Sequence, residues 1–226
     1  VDDRPEKLRM CLNPMYINLF EEYKPFKYER LPDIKQYSTE KDWGYTTDDT
    51  SRYWHVALHP DMWRYLAFEW KGEVYCYTHL PFGVGSACRI YTELKQEVFR
   101  LLREYGVRMS FLIDDQLGVA EGKPAAKYQC RLVVMILVAL GFTLSTRKCQ
   151  LLPTQRPRFL GMLVDLQGQA FIVPDDKVAQ FRKQALAVLE AEHITPRVMA
   201  QMAGKMMSMS MAVANAPVYS REISRA

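Results

Sequence analysis

The spacing of apolar residues changes several times along the chain, and each change marks an element. Ala87, Ile90, Leu94, Val98, Leu101, Leu102 and Tyr105 recur at helical spacing, which predicts a helix over 86–105 that Gly106 stops. Residues 107–113 read as a buried strand, broken by Asp114-Asp115 and resumed as a returning strand over 116–120. A second helix is predicted over 124–140, opened by Pro124 and closed by Gly141. Upstream, 64–70 and 74–78 are rich in β-formers on either side of Lys71-Gly72, which is a hairpin pattern. Thr46–Asp49, after Trp43 and Tyr45, reads as the end of a strand, and Pro14, Pro25 and Pro32 break any long helix before it. Downstream, 159–164 and 170–173 form a second hairpin around Gln167-Gly168. Two helices follow, one over 175–191 and one capped by Thr195 with Pro196 at its first position. This order predicts an α+β fold, a split β-α-β unit with an antiparallel sheet and a helical tail. The expected division is 1–174 and 175–226.

Composition narrows the class without naming a function. Hydrophobic residues make up 49% and charged residues 25% of the 226, the balance of a globular protein rather than a disordered one. The net charge of +4 suits a nucleic-acid partner and equally suits many unrelated enzymes. Cys11, Cys76, Cys88, Cys130 and Cys149 form no C-x-x-C pair, so reduced thiols in an intracellular, reducing compartment are expected, not a disulfide framework or zinc site. The longest apolar run, 132–140, has nine residues. A membrane span needs about 20, so no membrane partner is expected. The chain opens on Val1, so it is expected to be an excerpt or a processed form.

The most informative residues are Asp114-Asp115, at a tight turn between two apolar strands. Adjacent carboxylates at a strand tip repel unless a cation neutralises them, and magnesium prefers such oxygen ligands. Taken alone the pair is a solvated turn, since aspartate favours turns. Asp48, beside Asp49, also ends a strand, so three carboxylates at strand ends would make a two-metal phosphoryl-transfer site. The same Asp48-Asp49-Thr50-Ser51 stretch also reads as a helix N-cap before 52–56. Gly83-Val84-Gly85-Ser86 lacks the lysine of a phosphate-binding P-loop, and the four histidines lack H-E-x-x-H spacing.

Read jointly, these segments resemble the reverse transcriptase family. Asp48-Asp49-Thr50-Ser51-Arg52-Tyr53 resembles polymerase motif A, and Leu80-Pro81-Phe82-Gly83 followed by Ser86-Ala87 resembles motif B. Phe111-Leu112-Ile113-Asp114-Asp115 stands in the place of motif C. Gly141-Phe142-Thr143-Leu144 with Lys148-Cys149 is similar to motif D, and Phe159-Leu160-Gly161-Met162 to motif E. Lys7-Leu8-Arg9 with Asn18 resembles the fingers strand, and all blocks follow the family's order over about 7–164. The wording of motif B and the tail through Ala203-Gly204-Lys205 look closest to DIRS-like tyrosine-recombinase retrotransposons.

The resemblance implies a polymerase palm with partial fingers and a thumb-like tail, performing RNA-directed DNA synthesis within a retroelement polyprotein. Asp48 and Asp114 would bind two Mg2+ ions (Mn2+ as substitute) with Asp115 assisting, and the three carboxylates would gather around one point. Lys7 and Arg9 would meet the triphosphate, and the Asp49 carbonyl would add a ligand. Tyr53 would lie under the deoxyribose and reject a 2′-hydroxyl. Phe82 and Gly83 would face the nucleotide, the glycine permitting close approach. Lys148 would protonate the pyrophosphate. The implied partners are an RNA or DNA primer-template, dNTPs, and further polyprotein domains such as RNase H and a recombinase, or a larger RNA–protein assembly.

Three residues depart from the family pattern: Leu112 replaces a tyrosine, Asp49 an apolar residue, and Arg52 a small one. Asp49 brings a charge that has to be solvated or metal-bound, and Arg52 either contacts phosphate or crowds the pocket. The alternative reading is a domesticated, catalytically silent module serving as a structural or RNA-binding subunit.

Overall fold

The computed structural model describes residues 12–225. Its centre is a four-stranded antiparallel sheet in the order β4-β5-β1-β6, formed by Arg108–Leu112, Asp115–Glu121, Asp42–Asp48 and Gln150–Thr154. Two long helices, α3 (Ala87–Glu104) and α4 (Lys123–Ala139), cover one face. On the other face lies a three-stranded sheet of β7 (Arg158–Phe159), β8 (Met162–Asp165) and β9 (Ala170–Ile172). Before α3 also come the short helices α1 (Met15–Asn18) and α2 (Pro60–Trp63) and the β2–β3 hairpin (Ala67–Trp70, Glu73–Cys76). The helices α5 (Asp175–Glu190), α6 (Pro196–Ser208) and α7 (Ala216–Arg225) follow β9. No helix among the described residues is long and apolar enough to cross a membrane.

Period-two alternation divides the sheet residues between two cores. Tyr45 joins Phe99, Phe111, Val133 and Leu137 beneath the helices, while Leu117 and Val119 join Phe159, Val164 and Leu166 on the opposite face. Both helices end as their glycines require. Gly106 (φ 80) and Gly141 (φ 87) donate to Arg103 and Val138, and the following Val107 and Phe142 donate to Leu102 and Leu137. This paired pattern is the Schellman stop, which needs a left-handed residue at that point. Opposite Tyr45 in the ladder stands Gly118, and a Cβ there would overlap the Tyr45 ring. Gly118→Ala is therefore expected to destabilise the chain by about 1–3 kcal/mol in urea unfolding. A loss below about 0.5 kcal/mol, the range of an ordinary surface substitution, would mean that Tyr45 can step aside.

Four local expectations change. The buried stripe of α3 is Ala87, Tyr91, Lys95, Phe99 and Leu102, whereas Leu94, Leu101 and Tyr105 are exposed. A lysine in the middle of the true stripe disguised it as polar. Residues 64–66 are a 3-10 turn preceding β2, not part of the strand. Residues 159–164 are not one strand: Leu160 (φ 48) and Gly161 (φ 74) form a tight turn joining β7 to β8. Two successive positive-φ residues suit the strand twist of a two-residue hairpin, but leucine is not a residue that signals it. Finally, β6 had no sequence signature. Pro153 within it is accommodated because β6 is the edge strand.

Candidate active site

The β1–β5 register sets Asp48 directly opposite Asp115, and the β4–β5 turn carries Asp114. The Asp49 amide donates to the Asp114 carbonyl at 3.0 Å, extending the ladder one step into the turn. Ile113 is held at φ 55 in that turn. Such a conformation costs a β-branched residue on the order of 1–3 kcal/mol and persists where surrounding pairing over-determines it.

Each carboxylate meets a different neighbour. Lys148 Nζ lies 3.0 and 2.9 Å from the two Asp48 oxygens, and Arg52 Nη1 lies 2.6 Å from Asp114 Oδ1. The Asp115 carboxyl is pushed up to about 6, first by burial, then by its hydrogen bond to Asp48 and the charges of Asp114 and Asp48. The hydrogen bond to Asp48, more than any other cause, raises the Lys148 ammonium. These carboxylates and Lys148 meet at one end of the sheet. Asp48, Asp115 and Lys148 also line a cavity of about 320 Å³ with Thr46, Gln116, Gln150, Arg158 and the Phe159–Gly161 turn.

The expected single focus of three carboxylates is not met. Among the described residues no three His, Cys, Asp or Glu side chains are arranged to hold a metal ion. Two of the three carboxylates are instead answered by the chain's own cations, Asp48 by Lys148 and Asp114 by Arg52. The donor chemistry nevertheless fits a hard dication. The three side-chain candidates are all carboxylates, and Asp48 and Asp115 are close enough to share a hydrogen bond that a cation would replace.

Beside the carboxylates is an aromatic floor. Tyr53 is buried, with its hydroxyl 2.7 Å from Cys88 Sγ and its ring 4.8 Å from that of Phe82. The Arg52 guanidinium lies over both rings, 5.1 Å from Tyr53 and 5.6 Å from Phe82. Gly83 (φ 103) does permit a close approach, but of the chain's own segment: a Cβ there would sit 3.0 Å from Pro14 Cδ and 3.1 Å from the Leu12 carbonyl. Asn18 fastens the same loop, donating to the Gly83 carbonyl and accepting from Gly85, and Glu21 accepts from the Ser86 amide and hydroxyl. Lys7 and Arg9 lie outside the described residues.

Asp49 corrects another expectation. Its charge is met neither by solvent nor by the position of a metal. Strand alternation turns it away from Asp48, into the helix-side core, where Tyr91 donates to Oδ2 at 2.6 Å. Lys95 Nζ is 2.8 Å from the same oxygen, with both side chains fully buried. That contact is an ion pair off hydrogen-bond alignment, and neither Asp49 Oδ1 nor Lys95 Nζ has a hydrogen-bond partner among the described residues. Lys95 also lies 4.2 Å from the Phe142 ring centre, and burial is the first cause of its lowered pKa. Lys95 is the residue that sequence reasoning missed. The available signal was two adjacent aspartates on one strand, which cannot share a face.

Comparison with known proteins adds an independent finding. Residues 6–164 match the family model for reverse transcriptase (RNA-dependent DNA polymerase). The Pro-Pol polyprotein of Simian foamy virus type 1 is 26% identical over 125 residues, covering 55% of this chain and 10% of the polyprotein. The Gag-Pol polyprotein of Walleye dermal sarcoma virus is 25% identical over 144 residues, covering 62% of this chain and 8% of that one. Among solved structures, a foamy viral protease-reverse transcriptase in complex with RNA/DNA hybrid superposes with TM-score 0.77 at 20% identity, covering 100% of this chain and 29% of the other. A second foamy viral structure, in complex with double-stranded DNA, gives TM-score 0.79 at 19% identity, covering 100% and 38%. At these identities the structures speak for the fold alone. The chain thus spans a small part of the relatives it matches.

Proposed function

The chain belongs to the reverse transcriptase (RNA-dependent DNA polymerase) family, and from that membership we propose that it carries out template-directed DNA synthesis, joining a deoxynucleotide to a primer 3′-hydroxyl as one segment of a retroelement polyprotein. The observation that carries this reading is Asp48 facing Asp115 across the β1–β5 register, with Asp114 on the adjoining turn. A silent module has no comparable use for a partly buried acidic cluster, whose mutual repulsion costs stability.

In this proposal Asp48, Asp114 and Asp115 hold two magnesium ions, with manganese as a substitute. Bound there, the metal supplies a lowered pKa for the 3′-hydroxyl and charge stabilisation for the triphosphate. The chain's own residues do the rest. The cavity beside Asp48 and Asp115, walled by Phe159, Leu160 and Gly161, receives the primer terminus. Tyr53 and Phe82, with ring centres 4.8 Å apart, form the floor for the sugar and base, and the Tyr53 ring is the group assigned to reject a 2′-hydroxyl. Lys148, half-exposed and tethered through Asp48, carries the proton for the pyrophosphate leaving group. Lys7, Arg9 and Arg52 meet the triphosphate, and residues 175–226 serve as the thumb-like segment against the primer-template. Other domains of the polyprotein, such as RNase H and a recombinase of the DIRS-like kind, supply the remaining steps and part of the grip on nucleic acid.

The test is primer extension on poly(rA)/oligo(dT) with dTTP in magnesium, with a chelator control. Incorporation that stops on chelation is the expected result. No incorporation by a folded chain that binds the primer-template, both alone and in a longer polyprotein fragment, would sink the reading.

A further inference from the structure

Arg52 occupies a position where the family pattern has a small residue, and its surroundings define what it does there. One guanidinium nitrogen reaches Asp114 at 2.6 Å, and the guanidinium carbon stands over Tyr53 and Phe82 at 5.1 and 5.6 Å. It thus touches a metal-ligand candidate and covers the floor proposed for the nucleotide. Both side chains of the pair keep about a quarter of their surface in solvent, 28% for Arg52 and 24% for Asp114. The contrast with Lys95–Asp49, fully buried, is instructive: that pair cannot part without stranding charge in the core, whereas Arg52 can swing into water at small cost. Among the described residues the guanidinium's hydrogen bond to Asp114 uses a single Nη1, leaving the other donors of the fork for a planar or multi-oxygen anion.

We propose, resting on the polymerase reading, that Arg52 is a displaceable internal cation: it neutralises Asp114 and covers Tyr53 and Phe82 while no nucleotide is present, and transfers to the triphosphate of the incoming deoxynucleotide. The direction follows from charge. A triphosphate presents several negative oxygens where Asp114 presents one carboxylate, and a dication arriving with it displaces a monovalent guanidinium from a hard oxygen ligand. The exchange couples nucleotide entry to the freeing of Asp114, so metal and nucleotide each favour the other's binding. Arg52 is in this sense a gating residue, and its removal has two effects of opposite sign.

The experiment measures manganese binding to the nucleotide-free chain by electron paramagnetic resonance, for the parent, Arg52→Ala and Arg52→Lys, with dTTP kinetics on poly(rA)/oligo(dT) alongside. In Arg52→Ala, manganese affinity is expected to rise about fivefold, because an exposed-side competitor has gone. The KM for dTTP is expected to rise about tenfold with a smaller change in kcat, because a charge-assisted contact to the nucleotide is lost. Arg52→Lys, which keeps the charge but not the fork, falls between the two. Manganese affinity equal in all three chains overturns the latch and leaves the metal site standing. An unchanged KM overturns the transfer to the triphosphate. Absence of manganese binding in every variant, with melting curves unaltered, overturns the metal site and the latch with it.

Discussion

Asp48→Asn is expected to lower dTTP incorporation by at least about a thousandfold while leaving the chain folded. A ligand that stabilises transition-state charge through a bound cation contributes several kcal/mol, and each 1.4 kcal/mol is roughly a factor of ten in rate. Asp48 ends β1 opposite Asp115 and lines the cavity that the proposal gives to the primer terminus, so under that proposal its carboxylate is a metal ligand. Asparagine keeps its shape but removes the charge. Little stability is at stake, because Lys148 is 55% exposed and such a pair contributes at most about 1 kcal/mol, while losing one of two facing carboxylates relieves repulsion. Primer extension and a thermal melt on the same preparation decide it. Retention of more than about a tenth of the rate, a barrier change under 1.4 kcal/mol, would remove Asp48 from the ligand set.

Lys95→Met is expected to destabilise the chain by about 3–5 kcal/mol, the cost of leaving one buried charge without its partner. Asp49 would then lie fully buried with, among the described residues, only the Tyr91 hydroxyl bonded to its carboxylate, in a core lined by Tyr91, Phe99 and Phe142. The double variant Asp49→Leu with Lys95→Met should recover most of that loss, since similar-sized apolar residues often replace a buried pair at no net cost. Urea unfolding of both singles and the double closes the cycle. If the double is no more stable than the worse single, the pair is not the source of the effect. Activity should fall with the single as well, because the Asp49 amide holds the Asp114 carbonyl and so the turn that presents the carboxylates. Arg52, by contrast, should alter binding constants with the fold unchanged, which separates the two cations at this site.

Much of this arrangement follows from patterns confined to a few neighbouring residues. Gly106 and Gly141 ended the helices at the expected places because a left-handed stop is a local requirement. Lys71-Gly72 turned the β2–β3 hairpin for the same reason, with both residues at positive φ. Order and spacing of the motif blocks were enough to bring Asp48, Asp114 and Asp115 to one end of one sheet, as the register bears out. Failures came where local appearance and tertiary environment disagreed. Leu160 is a poor turn residue held at φ 48 by the pairing of β7 with β8, and Lys95 is a charged residue on the core face of α3.

The sequence by itself determined which carboxylates stand at the strand ends, since strand, turn and helix signals are short-range and period two assigns Asp48 and Asp49 to opposite faces. What only the tertiary structure decided is which cation answers each charge. Arg52 meets Asp114 across 62 residues and Lys148 meets Asp48 across 100, and Lys95 reaches Asp49 from another element. No local pattern encodes those choices, because Coulomb attraction depends on distance and burial in the folded chain and is indifferent to separation along it.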